Sequence, residues 1–300
     1  MIRPEQWSRV TLVGAGRLGR SILRTMPDRI AGVVLRGPDA ASDVASLAPR
    51  AALHHDLASF APGERGVVWI VTGDGAIGGV AGALARSGAD WRGVAVVHSS
   101  GATSLSALDP LAEAGAITLA LHPNGSFTGH APIPSGLVWG LTAGDPRARA
   151  VAEALLAGLD PQIADIPDDH RALYHAAASA ASNYSMALFA IASDLYRRAG
   201  LSEQQAREVV SRFLLTTAEN GREMGPRAAL TGPIARGDID VLRAQMRAVE
   251  LYAPEYLDVL MELAVRTAWV AADDRGESPQ SADSGTPDAQ SGQRSAGTGA

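Results

Sequence analysis

The chain contains neither cysteine nor lysine: all 26 of its basic residues are arginine. Without cysteine there are no disulfides, no thiol catalysis and no thiolate-ligated metal. Without lysine there is no Schiff-base chemistry and no lysine general acid. No 18-residue stretch is free of polar groups, and the first strand-like run begins near Val10, leaving no room for a cleavable leader. The expectation is a cytoplasmic protein with no membrane partner. Charge of one sign is not concentrated either: the net formal charge is −6 and no dense basic cluster occurs, which argues against a nucleic-acid partner. Histidines fall outside metal-ligand spacing, since His54 and His55 are adjacent and His170 and His175 do not share a helical face. No metal is expected.

What is present begins at once. The run Val10-Thr11-Leu12-Val13 leads directly into Gly14-Ala15-Gly16-Arg17-Leu18-Gly19, a β-branched strand set against a GxGxxG turn that opens an amphipathic stretch carrying Ile22, Leu23 and Met26. In such a turn Gly14 permits the sharp bend and Gly16 lets the backbone approach a pyrophosphate. Gly19 lets the helix pack closely on the strand, and the helix N-terminus faces the anion. A second strand, residues 31–35, ends where a ribose-reading residue belongs, roughly 20 residues beyond the glycines. Arg36 stands there instead of a carboxylate. An arginine pairs with a 2′-phosphate that a carboxylate would repel, so NADP is favoured over NAD as cofactor. Arg17 adds charge near the phosphates.

Further apolar runs at residues 67–71, 94–97, 117–121 and 137–141, with a shorter one near 51–53, are continuous rather than alternating. That texture suits strands covered on both faces, as in a parallel, doubly wound α/β sheet. Residues 1–165 therefore read as a Rossmann-like dinucleotide-binding domain. From Asp168 the pattern turns helical: one long helix capped by Asp168-Asp169 runs to about Ala199 and is ended by Gly200. Ser202 with Gln205 forms the capping box of the next helix. Residues 166–275 read as an all-α substrate and dimerisation domain, with Ala229–Asp238 as a loop between helices. Residues 276–300 lack apolar anchors, and disorder is expected there.

Ligands of open α/β sheets bind at the carboxyl ends of the strands. There the sequence places Thr72 and Gly73, then His98-Ser99-Ser100-Gly101, then His122-Pro123-Asn124-Gly125-Ser126-Phe127. Thr72, Gly73 and Ser99 join Gly14, Ala15, Gly16, Arg17, Leu18, Gly19 and Arg36 as candidate cofactor contacts. On the first helix of the second domain, His175, Ser179 and Ser182 or Asn183 share one face, with His175 as candidate proton donor and Asn183 as a hydrogen-bonding anchor. Arg236, between two glycine-bearing breaks, is a candidate for holding a substrate carboxylate. The structural alternatives are hydrogen bonds between helices for the first set and, for Arg236, a helix-capping loop in which it pairs with Asp238 or with a dimer partner.

These motifs in this order resemble the family of oxidoreductases that join a Rossmann-like domain to a helical domain of unknown function 2520. The resemblance rests on GAGRLG, HSSG at 98–101, HPNGSF at 122–127, RALYHAAASAASNY at 171–184 and ALTGPIARGD at 229–238. It implies a C-terminal domain like those of 6-phosphogluconate dehydrogenase and of pyrroline-5-carboxylate reductase relatives, packed as a homodimer. It also implies an NADP-linked reduction of a small substrate, a ketopantoate-like 2-oxo acid or a cyclic imine. Ketopantoate reductases use a lysine on the first helix of the helical domain as proton donor. This chain has none, so His175 or Tyr174 would substitute, or the substrate is an imine that arrives protonated. The competing reading is a non-catalytic module that binds NADP(H) as a sensor or scaffold.

Overall fold

A computed structural model describes residues 7–37, 41–57, 62 and 66–272. The expected disordered tail, 276–300, lies outside the described residues. Two compact units divide the chain, the first ending at Ser185 and the second beginning at Met186.

The first unit alternates strand and helix: β1 (Val10–Val13), α1 (Arg17–Thr25), β2 (Ile30–Val34), α2 (Ala41–Leu47), β3 (Ala52–His54), β4 (Val67–Ile70), α3 (Ile77–Ala85), β5 (Ala95–His98), α4 (Asp109–Glu113), β6 (Ile117–Pro123), β7 (Val138–Ala143), α5 (Ala148–Leu155), β8 (Gln162–Asp165) and α6 (Arg171–Ala181). The eight strands form one sheet in the order β3-β2-β1-β4-β5-β6-β7-β8. The six from β3 to β6 are parallel, as the apolar runs predict. β7 then runs antiparallel to β6, and β8 parallel to β7. Strand order reverses between β1 and β4, the switch point at which such sheets bind nucleotides.

Alternate side chains of these strands feed two cores, one on each face of the sheet. Val10, Leu12, Val67, Trp69 and Val97 point into a cluster with Ile22, Leu23, Trp139 and Leu155. Val13, Val68, Ile70 and Val96 point into the other, with Ile77, Leu84, Trp91 and Leu108. Burial on both faces explains why the sequence shows unbroken apolar runs. Each fully buried aliphatic side chain contributes roughly 1.5–3 kcal/mol before entropy is counted. β8 goes unrecognised in the sequence because it lies at the sheet edge and only Ile163 is even partly buried.

Two helical expectations need correction. The single helix expected over 168–199 is a 3-10 turn (Asp168–His170), α6, and then α7 (Asn183–Arg198). Ser182 leaves the helical ladder between α6 and α7, with φ −111° and ψ −69°. Ser and Asn side chains compete with the backbone for its hydrogen bonds, and this is where two of them meet. Asp168 does not cap its own helix. Its carboxylate accepts from Ser104 Oγ at 2.6 Å and from Leu105 N at 2.7 Å, so it caps the 3-10 turn Leu105–Leu108.

The second unit continues with α8 (Glu203–Met224), α9 (Pro226–Ala229), α10 (Pro233–Arg236), α11 (Ile239–Tyr252) and α12 (Leu257–Ala272). The Ser202/Gln205 capping box of α8 is formed in both directions. The expected loop at 229–238 is in part the one-turn helices α9 and α10, with Gly232 at φ +93° between them. Proline at the first turn of each supplies a preset φ without costing a hydrogen bond. α11 and α12 carry no buried residue, and Phe213, Leu251, Tyr252, Met261 and Trp269 are exposed.

Candidate active site

The glycine turn is built as its spacing demands. Gly14 N donates to Val34 O at 3.0 Å, and φ of +104° holds it in a region that glycine alone enters freely. A side chain on Gly19 would lie 3.0 Å from Gly14 O and 3.3 Å from Val71 Cγ2, so this glycine lets α1 press onto the strand ends. Gly16 is different: nothing lies within 4 Å of where its Cβ would be. It is also the N-cap of α1, with no side chain taking up the free N–H groups of the first turn. Ala15 and Leu18 turn inward to the core, and Gly16 and Arg17 are exposed. Beside this turn, Thr72 has a buried Oγ1 with no hydrogen-bond partner, and Gly73 opens the exposed 73–75 loop. The combination of bare N–H donors, space at Gly16 and an unsatisfied hydroxyl fits a dinucleotide pyrophosphate. Arg36 is exposed just past β2.

Farther along the same strand ends, a buried arginine assembles a second group of residues. Arg171, 1% exposed, opens α6. Its Nε donates to Thr103 O at 2.7 Å, one Nη to Thr142 Oγ1 at 2.7 Å, and the other to Ser100 O. Ser100 Oγ accepts from Thr103 N at 2.9 Å. The guanidinium and Asp168 thus pin the start of α6 to the 100–105 loop. Burial lowers the Arg171 pKa, and the nearby Asp168 partly offsets that.

The helix so pinned carries Tyr174 and His175 to the ends of β5 and β6. Tyr174 Oη lies 2.9 Å from His122 Nδ1, and the rings meet edge to face with centroids 5.4 Å apart. His175 presents its ring to His122 at 5.9 Å, also edge-on. A Cβ on Gly101 would lie 2.6 Å from His175 Cδ2 and 3.0 Å from His122 Nε2, and one on Gly140 would overlap Tyr174 Oη. Both glycines are therefore openings that the two rings need.

Burial holds two of these imidazoles, His122 and His98, well below the usual histidine range. His122 is lowered to about 4 by burial, with the charges of His175 and Arg171 acting in the same direction. His98, fully buried, is also lowered to about 4 by burial and then by Arg171, and neither ring nitrogen has a hydrogen-bond partner. The Tyr174 phenol is raised by burial, against the stabilising contacts of Asn124, Arg171 and the Gly140 backbone.

Of the residues singled out in the sequence, His98, His122, Tyr174 and His175 are brought together. Ser99 Oγ accepts from Trp69 Nε1 at 2.7 Å and Ser99 N donates to Ile70 O at 3.3 Å, which ties the end of β5 to β4. Asn183 is exposed at the start of α7, and the turn at Ser182 interrupts the helical face on which it was read with His175 and Ser179. Arg236, in the second unit, donates from Nε to Asp238 at 2.9 Å. Arg171 was missed because an arginine in an amphipathic segment reads as a surface residue. Its place at the head of RALYH, the segment that supplies Tyr174 and His175, was the available signal.

Comparison with known proteins agrees with this architecture. Among solved structures, a Bacteroides fragilis protein described as a candidate NADP oxidoreductase superimposes with a TM-score of 0.72 at 19% identity, covering 88% of this chain and 98% of that one. Protein TM1727 from Thermotoga maritima gives 0.66 at 25% identity, covering 86% and 98%. A pyrroline-5-carboxylate reductase from Coxiella burnetii gives 0.60 at 17% identity, covering 87% and 98%. No curated protein matches. Residues 2–123 match the family described as Rossmann-like domain, and residues 137–267 the family described as Domain of unknown function (DUF2520). The chain thus joins a Rossmann-like domain to a domain of unknown function 2520.

Proposed function

We propose that this protein is an NADPH-dependent reductase acting on the C=O or C=N of a small, carboxylate-bearing substrate. One observation carries the reading: the strand ends that hold an open, uncapped glycine turn also hold a cluster of His122, Tyr174 and His175. The descriptions of the Bacteroides and Coxiella proteins, a candidate NADP oxidoreductase and a pyrroline-5-carboxylate reductase, support it. The Gly16 backbone and the first turn of α1 would receive the pyrophosphate, with Thr72, Gly73 and Ser99 toward the nicotinamide. Arg36, with Arg17, would take the 2′-phosphate. When bound, NADPH supplies the hydride. The chain's own task is to orient the substrate and to supply a hydrogen bond or a proton to the reacting heteroatom. His175 and Asn183 remain the proposed substrate contacts.

A homodimer is part of the same proposal. The exposed Phe213, Leu251, Tyr252, Met261 and Trp269 of the helical unit are side chains of the kind a second copy would cover. Among the described residues no helix is long and apolar enough to cross a membrane.

The test is calorimetric titration with NADPH and NADH, followed by NADPH oxidation across short 2-oxo acids and cyclic imines. Tight NADPH binding with turnover supports the reductase. Binding without turnover of any substrate favours the sensor reading, and no binding of either cofactor overturns both.

A further inference from the structure

Strand order sets two opposite charges along the carboxyl edge of the sheet. Running from β1 through β4, β5 and β6 to β7, that edge brings first the glycine turn, then the loop after β4, then the His122 group. The β4 loop meets the turn directly, since a Cβ on Gly14 would lie 3.3 Å from Thr72 Cγ2. Two residues on, Asp74 opens the 3-10 turn Asp74–Ala76 and is exposed. Nothing lies within 4 Å of where a Cβ on Gly73 or Gly75 would be, so the backbone on either side of it is open to a flat ligand. Among the described residues no hydrogen bond or ion pair takes up the Asp74 side chain.

Arg171 holds the opposite charge farther along. Its guanidinium donates only to neutral groups, Ser100 O, Thr103 O and Thr142 Oγ1, and so reaches from the loop after β5 to β7. Asp168, whose charge also acts on Arg171, is already occupied by Ser104 Oγ and Leu105 N. His122 feels both poles: burial, then His175 and Arg171, lower it, while Asp74 acts the other way. The negative pole stands on the glycine-turn side of the edge and the positive pole on the β7 side.

Resting on the reductase reading above, we propose that Asp74 sets the charge balance at the nicotinamide: its carboxylate favours the oxidised, positively charged ring over the reduced, neutral one, and so favours departure of hydride toward the substrate. Thr72 and Gly73, which that reading puts toward the nicotinamide, carry Asp74 with them. In the transfer a C–H bond of the reduced ring breaks with its electron pair, and a C–H bond forms on the substrate carbon. The C=O or C=N pair moves onto the heteroatom, which takes a proton from solvent. Negative charge thereby moves from the β4 loop toward the His122 group, the direction that an anion at Asp74 and a cation at Arg171 both favour. Because the two side chains are fixed before the reaction, their field costs no reorganisation during it.

NADP+ and NADPH differ in charge at the nicotinamide, so their affinities read this balance without any turnover. By linkage, the ratio of the two affinities is the shift of the bound couple toward its oxidised form. Calorimetric titration with each, without substrate and at low ionic strength where exposed charges are least screened, is the experiment. Asp74→Asn should weaken NADP+ about tenfold while NADPH stays within about threefold, and Asp74→Glu should restore the wild-type ratio. A ratio that Asp74→Asn leaves unchanged, or shifts against NADPH, overturns the proposal. Equal weakening of both forms does so too, by assigning Asp74 to holding the dinucleotide as a whole. A wild type that binds neither form sinks the reductase reading and this role with it. One that binds both, with the ratio unmoved by Asp74→Asn, sinks only the role given to Asp74.

Discussion

A Cβ placed on Gly101 would sit 2.6 Å from Cδ2 of His175, closer than real carbon contacts come. The φ of Gly101 is not in the left-handed region, so the demand for glycine is steric and comes from the two rings that close over it. Gly101→Ala must therefore push His175 or His122 aside. The expected outcome is a loss of turnover of at least tenfold, with NADPH affinity within about threefold, because the glycine turn lies elsewhere on the sheet edge. Unchanged kcat would mean that the rings' positions do not matter to the reaction.

Arg171 invites a sharper test of stability. Its guanidinium gives three hydrogen bonds, and two of the acceptors are backbone carbonyls of the loop after β5. Lysine keeps the charge but offers neither the planar fork nor its reach to three acceptors. Arg171→Lys is expected to cost roughly 2–4 kcal/mol, the sum of lost charge-assisted bonds and unsatisfied acceptors. Urea unfolding followed by tryptophan fluorescence reports on the right unit, since Trp7, Trp69, Trp91 and Trp139 are all buried there. A midpoint unchanged from wild type would show that water replaces the guanidinium at no cost.

The contrast between the glycine turn and Arg171 marks where sequence reasoning reaches. GAGRLG is legible because each glycine answers a local backbone demand, met within a few residues by the bend at Gly14 and the close packing at Gly19. β4 and β5 are legible because burial on both faces leaves an unbroken apolar run. β8 is not, since Gln162–Asp165 buries almost nothing. The turn at Ser182 is hidden because small residues continue on both sides of it. The His122–Tyr174 pair could not be read at all: the two are 52 residues apart, and only sheet register and the Arg171 anchor bring them within 2.9 Å.

Cofactor preference turns on Arg36. If its guanidinium takes the 2′-phosphate, Arg36→Glu exchanges an attraction for a repulsion at the same point. NADPH affinity should then fall by about 10- to 100-fold, as expected for losing charge-assisted hydrogen bonds of roughly 1.5–3 kcal/mol, while NADH affinity holds or rises. Calorimetry on both proteins with both cofactors decides it. Equal losses for the two cofactors would assign Arg36 to folding rather than to phosphate recognition.

His98 sets an acid limit on stability. Its folded pKa is lowered to about 4 against an ordinary value of 6.5, because burial and the Arg171 and His122 charges outweigh the opposing pull of Asp168. Between those two values the unfolded chain binds a proton that the folded chain refuses, so stability falls as pH drops through that window and is unaffected well above it. For this group alone the loss between pH 7.5 and pH 5 is about 2 kcal/mol. Since neither ring nitrogen has a hydrogen-bond partner, His98→Leu removes a desolvation cost without stranding a donor or acceptor. The variant should be at least as stable as wild type at pH 7.5 and lose distinctly less on acidification, the remainder coming from His122, whose pKa is lowered in the same direction. Urea midpoints at the two pH values test this. A variant that loses as much as wild type would show that His98 takes no part in the acid limb, and a large loss at pH 7.5 would mean that its nitrogens are satisfied in solution.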